Sequence, residues 1–147
     1  MTEARDRRGH LTRGVLLVVV GVALTGCVPA RPTSGSAVEV ASAFYDAVGR
    51  QDGAAACDLL APVTVETLEG DADEACADAV LHGDVGDTLA ARTGSTSGSA
   101  SVAGRQAQVV LTGDVVFLTV SGTTWRITAA GCDARPDRPY DCALEGA

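Results

Sequence analysis

Lysine is absent from the 147 residues, and only five side chains are aromatic: two Phe, two Tyr and one Trp. Without lysine there is no Ser-Lys pair, and no glycine-rich phosphate loop closed by Lys. Histidine is nearly as scarce, since only His10 and His82 occur and only His82 follows Cys27. A Ser-His mechanism therefore has little material, and Ser95-Thr96-Ser97-Gly98-Ser99 is loop composition without the Gly-x-Ser-x-Gly elbow. No Cys-x-x-Cys is present, so zinc is a poor reading of the cysteines and no metal or cofactor is expected. The few aromatics argue against stacked-base recognition. Long apolar runs are missing too: the longest, Val15 to Leu24, makes about 15 Å of helix against a hydrocarbon core of roughly 30 Å.

What that run does resemble is a secretory signal. Arg5, Arg7, Arg8 and Arg13 precede it and Leu24-Thr25-Gly26-Cys27 follows. The tetrapeptide matches the lipobox of bacterial lipoprotein precursors at all four positions: Leu, a residue such as Ala, Ser or Thr, Gly or Ala, then Cys. The resemblance implies cleavage before Cys27, acylation of its thiol and a membrane anchor on the extracytoplasmic face of the cell membrane. Two or three acyl chains exceed the two-signal threshold for stable attachment, at about 0.8 kcal/mol per buried methylene. An ordinary signal peptide with a chance Cys27, or an uncleaved anchor, is the plainer alternative. Arg7-Arg8 with Leu11 fits twin-arginine export, but His10 stands where such signals carry an aromatic residue, so the export route is open.

Cleavage would leave 121 residues, enough for one domain with a modest core. The first 26 residues hold four Arg against Glu3 and Asp6, so removing their net +2 from the chain's −8 leaves −10. Nucleic acid is a poor partner for such a surface. The heavy use of Ala, Gly, Val, Asp and Arg reads as coding bias of a GC-rich bacterial genome. Apart from Cys27, four cysteines remain: Cys57, Cys76, Cys132 and Cys142. An even number in an exported domain implies disulfides, and of three connectivities the sequence-local one, Cys57 with Cys76 and Cys132 with Cys142, is expected.

Along the mature chain, Val28 to Gly35 combines Pro, Ser and Gly without apolar periodicity and reads as a spacer, so the domain is expected to cover residues 36–147. Ser36-Ala37-Val38-Glu39 has capping-box form, with Val40, Phe44, Ala47 and Val48 on one helical face and Gly49 as the stop. Asp52 is expected to cap a second helix that Pro62 ends, Thr64 to Glu69 a short third, and Asp71 or Asp73 to cap a fourth through Leu81. From His82 to Ser101 a loop is expected. The period then turns extended: Ala107 to Leu111, Val115 to Val120 and Trp125 to Ala130 read as strands joined by turns at Thr112-Gly113-Asp114 and Ser121-Gly122-Thr123, with an earlier strand near Ser101-Val102. Helices first and hairpins after predict an α+β layer of N-terminal helices on a curved antiparallel sheet of about four strands.

This order, with Ala43-Phe44-Tyr45-Asp46-Ala47, Asp58-Leu59-Leu60-Ala61-Pro62 and Thr124-Trp125-Arg126-Ile127, resembles small exported lipoproteins with a nuclear-transport-factor-2-like, or cystatin-like, domain. The resemblance implies a cone of helices on a bent sheet, with a cavity between them for which Tyr45, His82 and Trp125 are candidate lining residues. Enzymes of that fold, of the ketosteroid-isomerase and polyketide-cyclase kind, place an Asp or an Asp and His pair in an apolar cavity, which here implies His82 with Asp84 or Asp87. No catalytic residue carries over by motif. The stretch from Cys132 to Cys142, with Pro136 and Pro139, has two readings: a pre-ordered interaction loop displaying Arg135, Arg138 and Tyr140, or a clasp over the sheet edge with its arginines paired to neighbouring Asp. The overall expectation is a membrane-anchored, non-catalytic binding module for an envelope protein or a small apolar ligand.

Overall fold

The computed structural model describes residues 31–146. The export segment, the lipobox with Cys27 and the first part of the spacer lie outside the described residues. The remainder forms five helices followed by five strands: α1 (Ser34–Gly49), α2 (Gly53–Cys57), α3 (Pro62–Ala72), α4 (Cys76–Ala79), α5 (Gly83–Ala90), then β1 (Gly98–Ala103), β2 (Gln106–Leu111), β3 (Asp114–Ser121), β4 (Thr124–Arg135) and β5 (Arg138–Glu145). The strands make one antiparallel meander in the order β1-β2-β3-β4-β5. The architecture is α+β, with five strands where about four were expected. The fifth, β5, pairs with the end of β4, so the Cys132 to Cys142 stretch is a hairpin at the edge of the sheet, with Cys132 opposite Cys142.

Helix α1 starts two residues before the expected cap. Thr33 is the N-cap, and Ser36 is its partner at the third helical position: the Ser36 amide donates to Thr33 Oγ1 at 3.1 Å and the Thr33 amide to Ser36 Oγ at 2.9 Å. Ala37, Ala41, Phe44, Tyr45 and Val48 then fall on one buried stripe that packs on β1, β2 and β4. Asp52 does cap α2, accepting from the Ala55 amide at 3.0 Å. Pro62 begins α3 where it was expected only to stop α2, because a residue without an N–H fits the first helical turn. Between them, Leu59 to Ala61 runs parallel beside β4: the Ile127 amide donates to the Leu59 carbonyl and the Ala61 amide to the Ile127 carbonyl. The free edge of β4 is thereby covered.

Two disulfides join Cys57 to Cys76 and Cys132 to Cys142. The first holds α2 against α4 at a close approach that only glycine permits, since a Cβ on Gly53 would lie 1.9 Å from the Ala77 carbonyl oxygen. Helix α5 occupies part of the expected loop. Its sequence has only Val85 and Leu89 as apolar anchors, and its buried Gly86 lies against the Leu81 backbone, where a Cβ would come within 2.2 Å. Packing of Leu89, fully buried, overrides a glycine cost of about 1 kcal/mol. Trp125, Tyr45, Phe44, Leu89, Leu118, Ile127 and Leu144 are the largest buried side chains between helices and sheet.

Candidate functional site

The chemistry-bearing side chains fall into three places. The first is buried. Asp114 opens β3 with its side chain fully out of solvent and receives four donors: Arg92 Nη1 (2.7 Å) and the Cys132 amide (2.8 Å) on Oδ1, the Tyr45 hydroxyl and the Gly131 amide (3.0 Å) on Oδ2. Arg92, just past α5, also donates through Nη2 to Asp133 Oδ2 at 2.9 Å and through Nη1 to the Cys132 carbonyl at 3.2 Å. Gly131 makes this closure feasible: at φ +68° it interrupts the regular alternation of β4 and aims two successive amides at one carboxylate. Burial first, then the hydrogen bond to Asp114, push the Tyr45 hydroxyl far above its ordinary range. For Arg92, burial opposes the charge, but attraction to Asp114 and the bonds to Asp133 and Asp114 override it and hold the guanidinium above its ordinary value. Every acceptor site of Asp114 is engaged, so the network ties α1, α5, β3 and β4 together and leaves no carboxylate oxygen free for a substrate. Neither Arg92 nor Asp114 stood out in the sequence as a site residue. Their signal was an Asp at the first position of a strand whose next inward residues, Val116 and Leu118, are apolar.

The second place is an open groove of about 330 Å³ between α3, the start of α5 and β5, lined by Asp71, Glu74, His82, Asp84 and Glu145 among others. His82 is the N-cap of α5, exposed, with Nδ1 2.8 Å from the Asp78 carbonyl, which fixes the proton on that nitrogen. Asp84 shares the groove; Asp87 does not line it. Tyr45, His82 and Trp125 are not brought together. Tyr45 and Trp125 fill the core, 1% and 2% exposed, because large aromatics in a chain with so few contribute most by packing the helix and sheet interface. Among the described residues no group of three or more His, Cys, Asp and Glu is placed to hold a metal ion.

The third place lies on the sheet face that the helices leave uncovered. Phe117 and Tyr140 meet edge to face with ring centroids 5.2 Å apart, and Gln108 Nε2 donates to the Tyr140 hydroxyl at 3.2 Å. With Thr128, Ala129, Pro139 and Cys142 they line a groove of about 520 Å³. Arg135 braces the hairpin beside it, donating to the carbonyls of Pro139 (3.0 Å) and Tyr140 (3.3 Å) and pairing loosely with Asp141 at 3.7 Å. Arg138 is exposed and has no partner among the described residues. Of the three residues read as an interaction loop, one therefore supports the hairpin, one walls a groove and one faces solvent.

No helix among the described residues is long and apolar enough to cross a membrane. Comparison with protein-family models, with curated proteins and with solved structures finds no match to this chain.

Proposed function

We propose that the chain is a lipid-anchored extracytoplasmic protein whose single domain acts by binding, without catalysis, through the groove on the uncovered face of its sheet. The observation that carries this reading is the Phe117 and Tyr140 pair, half-buried and stacked edge to face where no helix covers the sheet. Apolar walls of Phe117, Ala129, Pro139 and the Cys132 to Cys142 bond, with Gln108 and Thr128 as the few polar groups, have the make-up of a small apolar ligand site. Anchoring of the groove on a cross-strand disulfide limits the conformational freedom lost on binding. Against catalysis by His82 stands its exposed position, outside the apolar core that would tune its basicity.

Two measurements test the reading. Intact mass of the membrane form, before and after reduction, reports the acyl groups on Cys27, the cleavage site and the two disulfides together; an unmodified Cys27 sinks the anchor. Titration with indole as an apolar probe, followed by the ring resonances of Phe117 and Tyr140, tests the groove. Saturable shifts confined to these rings, lost in Tyr140→Ala, are expected. Shifts spread evenly over the surface, or none, would show that the groove is not a binding site.

A further inference from the structure

The described chain enters the fold at one end of the sheet, between two hairpin turns. Arg31 and Pro32 lie beside the Gly104-Arg105 turn that joins β1 to β2 and the Gly122-Thr123 turn that joins β3 to β4; together with Val120 they line a notch of about 480 Å³. Arg31 and Arg105 are exposed and neither pairs with an acidic side chain among the described residues. Arg105 is steadied by one bond, from Nη2 to the Val120 carbonyl at 2.6 Å. No acidic residue lines the notch, whereas the groove around His82 holds four. In a domain of net charge −10 two unpaired arginines thus stand together where the chain comes in, with no carboxylate beside them.

Residue 31 is four residues past Cys27, which bounds the distance between them at about 14 Å for a fully extended chain. That reach is close to the Debye length of roughly 8–10 Å at cellular salt. An acylated Cys27 would therefore hold this end of the domain inside the field of the bilayer surface. We propose that the notch formed by Arg31, Arg105 and the two turns rests on the membrane and takes anionic phospholipid headgroups, which sets the domain upright with its acidic surfaces away from the bilayer. The inference relies on the anchoring of Cys27 proposed above. Guanidinium forks suit phosphate oxygens in pairs, and turn residues Gly104 and Gly122, without side chains, let the headgroup approach the backbone.

The test uses the full lipidated protein in vesicles of phosphatidylcholine alone and of phosphatidylcholine with phosphatidylglycerol, read by amide hydrogen exchange. On the mixed vesicles, exchange at residues 103–106 and 121–124 should slow roughly fivefold for each arginine engaged, while the Pro136-Asp137 turn is unchanged. Arg31→Gln and Arg105→Gln should each remove about that factor, and high salt should remove all of it. Equal exchange on the two vesicle types, with the protein still vesicle-bound, overturns the notch and leaves the anchor intact. Protein that does not stay with either vesicle overturns the anchor. If inorganic phosphate alone gives the same protection in detergent, the notch is a free-phosphate site and the membrane assignment fails.

Discussion

The indole Nε1–H of Trp125 donates to the carbonyl oxygen of Thr33 at 2.8 Å, so the single tryptophan of the chain holds the residue that caps the first helix. The bond links β4 to the start of α1. Trp125→Phe keeps an aromatic ring and removes the donor. Its expected cost is about 1 kcal/mol for the bond, with further loss from the smaller ring, and amide exchange over the first turn of α1 should accelerate more than elsewhere. Unchanged exchange at Ala37 would mean that the capping box alone secures the helix start.

Asp114→Asn should be among the most damaging single changes. Each carboxylate oxygen receives two donors, so either orientation of an amide turns its NH₂ toward two N–H or O–H groups. Breaking a buried pair of this kind costs roughly 3–5 kcal/mol, read as a lower urea midpoint. A loss below about 1 kcal/mol would show that Arg92 is held adequately by Asp133.

Alkaline pH should weaken the fold through Tyr45. Its hydroxyl is raised in the folded state above the ordinary value of 10.0, so the associated stability is complete below pH 10 and is lost as the pH climbs above it, where only the unfolded chain ionises readily. Urea midpoints followed from neutral to strongly alkaline pH should fall for the wild type and less steeply for Tyr45→Phe. Absorbance should show Tyr45 ionising only as the protein unfolds.

Gly131→Ala places a methyl group 3.1 Å from Ala143 Cβ and 3.4 Å from Leu89 Cδ2, at φ +68°. Backbone strain and overpacking together predict a loss of at least about 2 kcal/mol. Gly122→Ala is the internal comparison: its φ is similar, +61°, but nothing lies within 4 Å of the new methyl, so only the backbone cost of about 1–2 kcal/mol remains. Equal losses would remove the packing argument.

What was readable in the sequence followed from period and punctuation. The antiparallel hairpins at 113 and 122 were legible because a glycine there, at positive φ, ends each alternating run, and the face of Phe44, Ala47 and Val48, with Val40 partly buried beside it, because the spacing is helical. Helix α5 was not legible. Its Gly-Asp-Val-Gly-Asp sequence has loop composition, and the helix forms there through tertiary packing, with Leu89 fully buried and Gly86 against the Leu81 backbone. Strand β5 was hidden for a related reason: two prolines and five charged side chains between Cys132 and Cys142 left open whether the stretch was a loop or a clasp on the sheet edge, and a hairpin edge with a cross-strand disulfide tolerates all of them. The Asp114 network joins residues 22, 69 and 41 positions apart along the chain, and no local pattern marks such a meeting.

The two disulfides should differ in weight. Cys57→Ser with Cys76→Ser frees a separation of 19 residues between two short helices held together by side-chain packing, whereas the Cys132 to Cys142 pair, 10 residues apart, is backed by strand pairing. Chain-entropy reasoning gives about 3 kcal/mol for loops of this size. The first double variant is expected to lower the thermal midpoint more; the reverse order would place the main constraint in the β4 and β5 hairpin.

Strand β4 starts beside the two turns where the chain enters and continues for 12 residues to the tip that carries Arg138, at most about 40 Å of extended backbone. Whatever touches Arg105 and whatever touches Arg138 are consequently kept a whole domain length apart. A surface that meets the turns around Arg105 is thus distinct from one that meets the hairpin tip at Arg138.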